Sequence, residues 1–176
     1  FKINADNVCE NSPLSVDSIF IRNCYDPLST YSWTYSGGTV QFPNQENPGS
    51  FSTDSVGQFI ISLTVTNRCS DSTFSDTISV LARPTISFGS ITDVCADADT
   101  FSLGYASPSG GTYSSSATPS YISANLFYLR LAGVGTHSIY YTYTDSFSCT
   151  SLDSTTITVL PLPNTNAGAD TAICLS

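Results

Sequence analysis

Cysteines, carboxylates and one histidine are the residues here with the means to do chemistry. The six cysteines are Cys9, Cys24, Cys69, Cys95, Cys149 and Cys174. None forms a Cys-x-x-Cys pair, and His137 stands alone, so the spacing of a zinc site is missing. Bridging in an oxidising compartment is the use that fits them. A nucleophilic Ser, Thr or Cys needs an adjacent base, and His137 falls in a strand-like stretch where it reads as a half-exposed strand residue. Glycoside hydrolysis needs two facing carboxylates, and Glu10 and Glu46 are the only glutamates. The chain therefore reads as non-enzymatic. The densest acidic group is Asp93, Asp97 and Asp99, with Asp145 and Asp153 flanking Cys149. These are either hard oxygen ligands for calcium or ordinary turn carboxylates. No other cofactor is indicated.

The frame holding these groups is poor in charge. Of 176 residues, 11% are charged, against about 25% in an ordinary soluble domain. Ser and Thr carry the polarity instead, and hydroxyls suit β surfaces and turns better than helix faces. The net charge of -9, with five scattered cations at Lys2, Arg22, Arg68, Arg83 and Arg130, excludes the basic patch that nucleic acid requires. It also counts against an anionic membrane surface. No apolar run approaches the ~18 residues of a membrane helix. A start at Phe1, without a basic or apolar leader, is the start expected of a processed product or an excised piece.

Self-similarity organises the rest. Val8-Cys9 is matched by Val94-Cys95, Ser36-Gly37-Gly38-Thr39 by Ser109-Gly110-Gly111-Thr112, and Val56 to Asn67 by Val134 to Asp145. Cys69 falls in register with Cys149, and Asp76 to Leu81 resembles Ser154 to Leu160. The period is about 80 residues, the signature of an array. It divides the chain into domains at 1–83 and 84–163, with 164–176 opening a third repeat in which Cys174 takes the place of Cys9 and Cys95. Pro84, Pro161 and Pro163 favour extended, semi-rigid linkers.

Within each unit the pattern is β. Phe59, Ile61, Leu63 and Val65 alternate with polar or outward positions, and Ile139, Tyr141 and Tyr143 share one face of the matching strand. Further strands are expected at Ser15–Arg22, Thr30–Tyr35, Thr77–Leu81, Thr85–Phe88, Phe101–Leu103, Asn125–Leu129 and Thr155–Leu160. About seven short strands per repeat predict tandem immunoglobulin-like Greek-key β-sandwiches, an all-β chain with Trp33 in a core. Repeat register predicts a Cys95–Cys149 bridge, while in the first unit Cys24, in a loop expected at the same end of the sandwich as that of Cys69, is the expected partner of Cys69, with Cys9, in register with Cys95, as the alternative and Cys174 unpaired. Consecutive Tyr140, Tyr141 and Tyr143 also allow an exposed aromatic platform for polysaccharide, against the simpler reading of core and cross-strand pairs.

Tyr31 to Gly38, Asn47-Pro48-Gly49 and Gly57 to Asn67 resemble the PKD-like repeat. Val94-Cys95, Ser109 to Tyr113, Ala132 to His137 and Tyr141 to Asp145 resemble the Ig-like repeat of giant surface proteins of Bacteroidota, and Asn166 to Cys174 resembles the opening of another such repeat. The resemblance implies an extracellular stalk or filament of tandem domains, exported by the type IX route and displayed at the cell surface, as in gliding-motility adhesins of the SprB kind. Its partners would be neighbouring repeats, other copies in a filament, or surface glycans. A carbohydrate-binding or spacer module of a secreted hydrolase is the alternative.

Of 12 Asp, eight precede Ser or Thr, and six of those continue into Ala, Ile, Leu, Val or Thr. The pattern resembles the O-glycosylation sequon of proteins exported by the same bacteria, and it makes Ser18, Ser55, Ser72, Thr77, Ser154 and Thr171 candidate sites. A bulky sugar would solubilise a surface short of charge. The plainer reading is that Asp-Ser and Asp-Thr begin turns.

Overall fold

The computed structural model describes residues 1–3, 6–18, 28–36, 46–117 and 120–163, the side chains of Lys2, Asp17 and Ser18 excepted. Cys24, Thr171, Cys174 and the expected third repeat at 164–176 lie outside the described residues, as does the side chain of Ser18. The chain is all-β and folds as two compact units. The first comprises Phe1–Pro84 with Thr144–Thr150, and the second Thr85–Tyr143 with the chain from Ser151 onward. The loop that carries Cys149 therefore groups with residues 1–84, although the sequence repeat assigns it to 84–163.

The first unit contains β1 (Lys2–Ile3), β2 (Asn7–Cys9), β3 (Leu14–Ser18), β4 (Thr30–Tyr35), β5 (Ser50–Phe51), β6 (Gly57–Thr66) and β7 (Asp71–Leu81). They form a three-stranded sheet, β1-β3-β5, and a four-stranded sheet, β2-β7-β6-β4. Alternation decides which face is buried. Ile61, Leu63 and Val65 point inward from β6, and Trp33 and Tyr35 do so from β4, with Trp33 opposite Leu63 and Tyr35 opposite Ile61. These join Ile3, Leu14, Val16, Ile78 and Val80, from both sheets, in one cluster. Phe1 caps it with its ring edge-on to Trp33 at 5.1 Å. Full burial of each aliphatic side chain is worth about 1.5–3 kcal/mol before chain entropy is charged against it.

The second unit contains β8 (Ser87–Phe88), β9 (Val94–Cys95), β10 (Thr100–Ser102), β11 (Ala106–Ser107), β12 (Thr112–Ser115), β13 (Ile122–Ser123), β14 (Leu126–Tyr128), the single-turn α1 (Leu129–Ala132), β15 (Gly135–Thr144) and β16 (Thr150–Leu160). Its sheets run β10-β14-β13, β11-β8 and β12-β15-β16-β9. The core gathers Leu103, Tyr113, Ile122, Phe127, Leu129, Ile139, Tyr141, Ile157 and Val159. The Gly-Gly motif finds its reason here. The Gly111 N–H donates to the Tyr141 hydroxyl at 2.7 Å, and that hydroxyl donates to the Pro108 carbonyl at 2.6 Å. A Cβ on Gly111 would run into the Thr142 carbonyl and the Tyr141 ring. Gly110 turns the chain at φ +96°, which L side chains rarely adopt.

Two strands are longer than their sequence suggests. β7 starts at Asp71 rather than Thr77, and β16 at Thr150 rather than Thr155. Residues 71–75 of β7 are exposed on both faces, so no alternation marks them as strand. Threonine and serine supply the order instead. Ser62 pairs with Ser75 at 2.9 Å and Thr64 with Thr73 at 3.0 Å, hydroxyl to hydroxyl across β6 and β7. The abundance of hydroxyls is in part this cross-strand bonding.

Candidate functional site

The long hairpins β6–β7 and β15–β16 each end in a loop that holds a cysteine. In the first, the Asn67 side-chain oxygen accepts the N–H groups of Cys69 and Ser70 at 2.8 and 3.1 Å. In the second, Asp145 Oδ1 accepts the N–H groups of Phe147 and Cys149, both at 2.9 Å. One side-chain oxygen thus satisfies two loop donors that the strand ladder has left behind, which is what an Asx turn does. Ser148 completes the second loop at φ +67°. Asp145, one of the carboxylates expected near calcium, is a turn builder.

Cys149 is fully buried, and it is bonded to Cys9, 140 residues earlier and at a Cα–Cα distance of 5.5 Å. Cys95, its expected partner, is exposed and carries a free thiol. The expected Cys95–Cys149 bridge is thus replaced by one that takes a cysteine from each of the two sequence repeats. Repeat register misled because it presumes closure within a repeat, whereas the loop Thr144–Thr150 belongs to the first compact unit. Cys9 is likewise not the partner of Cys69. Cys69 is disulfide-bonded, and Cys24, its expected partner, lies outside the described residues.

Around Cys9 a second set of bonds holds the same loop. Arg83 N donates to Glu10 Oε1 at 3.0 Å, and Arg83 Nε to the Glu10 carbonyl at 3.1 Å. The guanidinium continues to the Ser12 hydroxyl through Nη2 and to the Thr150 carbonyl through Nη1. The fork of donors on arginine suits it to join three strands of chain at once. Sequence reading named Glu10 among the carboxylates and Arg83 among the scattered cations without joining them. The signal available was a lone cation directly before Pro84 and, next to Cys9, one of only two glutamates.

Elsewhere the candidate residues are dispersed. Among the described residues no three of His, Cys, Asp or Glu come together as a metal site. The calcium expectation at Asp93, Asp97 and Asp99 finds no cluster: all three are exposed, and Asp99 instead pairs with Arg130 at 2.6 Å. That pair is over 70% exposed on both sides and is worth little. His137 lies against Tyr121 and Phe127. Its Nε2 meets the Gly133 carbonyl at 2.9 Å, which makes Nε2 the donor, and Nδ1 meets the Tyr121 hydroxyl at 3.3 Å. Both ring nitrogens are committed to structure. Tyr141 is core, Tyr143 packs against it, and Tyr140 is half-buried rather than exposed.

The described sequon positions sit at the surface. Ser72, Thr77 and Ser154 are exposed on β7 and β16, while Ser55 is half-buried in the loop before β6. They stand within strands or beside them, so the turn-initiating role expected of their aspartates fails at Asp76 and Asp153. Asp76 Oδ1 accepts the Thr77 N–H at 2.9 Å, and Asp153 Oδ1 the Ser154 N–H at 2.8 Å. Asp76 Oδ2 also accepts the Ile3 N–H at 3.0 Å, joining β7 to β1.

No family model and no curated protein sequence matches this chain. Among the described residues no helix is long and apolar enough to cross a membrane.

Proposed function

We propose that this chain is a non-enzymatic segment of tandem immunoglobulin-like, PKD-like Greek-key β-sandwich repeats within a secreted cell-surface filament or adhesin. The observation that carries the reading is the Cys9–Cys149 bridge, which binds together cysteines from two successive sequence repeats. Such a bond forms and persists in an oxidising, extracellular setting. It suits a part whose task is to carry load: the covalent bond and the Arg83 fork both hold a hairpin loop that hydrophobic burial alone would release more easily. Support also comes from the two units, each built of β-sheets around one buried cluster. The hydroxyl-rich faces of β7 and β16, with Ser72, Thr77 and Ser154 open to solvent, fit glycan attachment that would shield a low-charge surface. Tyr141 and Tyr143 are committed to the core, which leaves the polysaccharide-platform reading without the aromatic strand that suggested it.

Protease shaving of intact source cells tests the proposal. Peptides of this chain should appear in the shaved fraction, with hexose-type mass on Ser72, Thr77 or Ser154. A chain confined to the intracellular fraction would sink the reading.

A further inference from the structure

Cys9 and Cys95 occupy the same structural position. β2 lies parallel to the end of β7, with Val8 opposite Val80 and Cys9 opposite Leu81. β9 lies parallel to the end of β16, with Val94 opposite Val159 and Cys95 opposite Leu160. The next residue makes the same bond in both: Glu10 N donates to the Leu81 carbonyl at 2.8 Å, and Ala96 N to the Leu160 carbonyl at 3.0 Å. The chain then turns alike, with Ser12 N reaching the Cys9 carbonyl at 3.0 Å and Ala98 N the Cys95 carbonyl at 3.4 Å. One member of this matched pair is bonded to a hairpin-loop cysteine 140 residues further along the chain. The other is exposed and free.

We propose that Cys95 is the acceptor of an inter-repeat disulfide from the hairpin-loop cysteine of a following repeat of the same polypeptide, as Cys9 is for Cys149. The proposal rests on the repeat-segment reading above. What carries it is the observed ligation of the equivalent cysteine, together with the exposure of the Cys95 thiol, where Cys9 is half-buried beside its partner. Where the following repeat offers a hairpin-loop cysteine, the two repeats would be linked covalently twice, by the peptide chain and by sulfur.

The chemistry needs an oxidant, supplied by a disulfide-bearing oxidoreductase of the export compartment. The Cys95 thiolate attacks the oxidant's disulfide, forms a mixed disulfide and expels one oxidant thiolate. The hairpin-loop thiolate then attacks Cys95 Sγ, the new S–S bond forms, and the second oxidant thiolate leaves. Two cysteine thiols are oxidised, one disulfide is reduced to a dithiol, and the two protons end on that dithiol.

The test is thiol mapping of the native full-length protein. Free thiols are alkylated without reductant, the protein is digested, and cross-linked peptides are read by mass spectrometry before and after reduction. The expected result is a Cys95 peptide linked to a hairpin-loop cysteine of a later repeat, with Cys95 alkylated only after reduction. Cys95 alkylated without reductant, or bonded to another copy or to a small thiol, would overturn the inference. If later repeats with hairpin-loop cysteines exist and Cys95 is still free, this inference alone falls. If the full-length chain has no later repeat, the repeat-segment reading falls with it. A Cys9→Ser variant supplies the control: it should make Cys149 alkylatable while leaving the Cys95 cross-link in place.

Discussion

At the end of β7 the first unit sets Cys9, Glu10 and Arg83 side by side, and the second unit, at the end of β16, sets Cys95, Ala96 and Leu162 in the corresponding places. The backbones share the bond to the end of the long strand and the bond that closes the following turn, while the side chains differ. Where a hairpin loop is bound, the position has acquired a bridge, a carboxylate and a guanidinium fork. Where none is bound, it carries an exposed thiol and an exposed leucine. The repeat thus supplies a common backbone platform, and a few side chains decide what the platform holds.

The largest expected effect breaks that comparison at sulfur. Cys149→Ser removes a cross-link closing 140 residues, and should cost about 2–5 kcal/mol in chemical denaturation. Cys95→Ser in the same chain should fall within about 0.5 kcal/mol, as surface changes usually do. Equal losses in the two variants would show that Cys95 is already engaged or that the Cys9–Cys149 bond carries no load.

Next comes the core, where the units solve one problem differently. Leu63 and Tyr141 correspond in the repeat; Trp33 lies opposite the first and Tyr113 opposite the second. The first unit packs one large aromatic against an aliphatic. The second uses two tyrosines, 4.6 Å apart between ring centroids, and must satisfy two hydroxyls. Tyr113 does so through the Ala106 N–H at 2.8 Å, and Tyr141 through the Gly111 loop. Gly111→Ala should therefore destabilise the second unit by about 1–3 kcal/mol, the usual cost of overpacking, with the first unit's transition unmoved in calorimetry. Tyr141→Phe keeps the ring and loses only the two bonds of the hydroxyl, and should cost about 0.5–1.5 kcal/mol.

How much of this could be read from residues alone follows the same division. Strands with one buried face, β4 and β6 above all, were legible because Trp33, Tyr35, Ile61, Leu63 and Val65 alternate with polar neighbours. The first half of β7 was not, since Asp71 to Ser75 expose both faces and hydroxyl pairing leaves no apolar period. The Cys9–Cys149 bond was illegible for a different reason. Spacing orders cysteines along a chain, but which loop reaches which strand is a tertiary fact that Asp145, Arg83 and Glu10 help to set.

Arg83 sharpens the comparison further. Arg83→Ala deletes three side-chain donors to Glu10, Ser12 and Thr150, and should cost about 1–3 kcal/mol, the range for hydrogen bonds from a charged group with partners left partly unsatisfied. Leu162→Ala, at the corresponding exposed place, should stay within about 0.5 kcal/mol. Should Arg83→Ala also speed reduction of Cys9–Cys149 by a small dithiol, the fork shields the bond as well as holding the loop.

The smallest effect separates two aspartates that do nearly the same thing. Among the described residues β2 covers β7 only at Ser79, Val80 and Leu81, and no described strand pairs with the earlier residues of β7 on that side. Ser79 N donates across that edge to the Asp6 carbonyl, and by the period of two Thr77 N faces the same way. Asp76 Oδ1 accepts that N–H, and Asp153 Oδ1 does the same for Ser154 on β16, where among the described residues β9 pairs only with Val159 and Leu160. Each carboxylate so occupies a donor that would otherwise be open to a foreign strand. Asp76 has a second task, the 3.0 Å bond to Ile3 N that joins β7 to β1. Asp76→Ala should therefore cost about 1–2 kcal/mol and Asp153→Ala only about 0.5. Both should raise self-association in light scattering to a similar degree, because the edge donor is uncovered alike in each. A stability loss as large for Asp153→Ala as for Asp76→Ala would mean that the bond to β1 contributes nothing and that edge protection is the whole role of both.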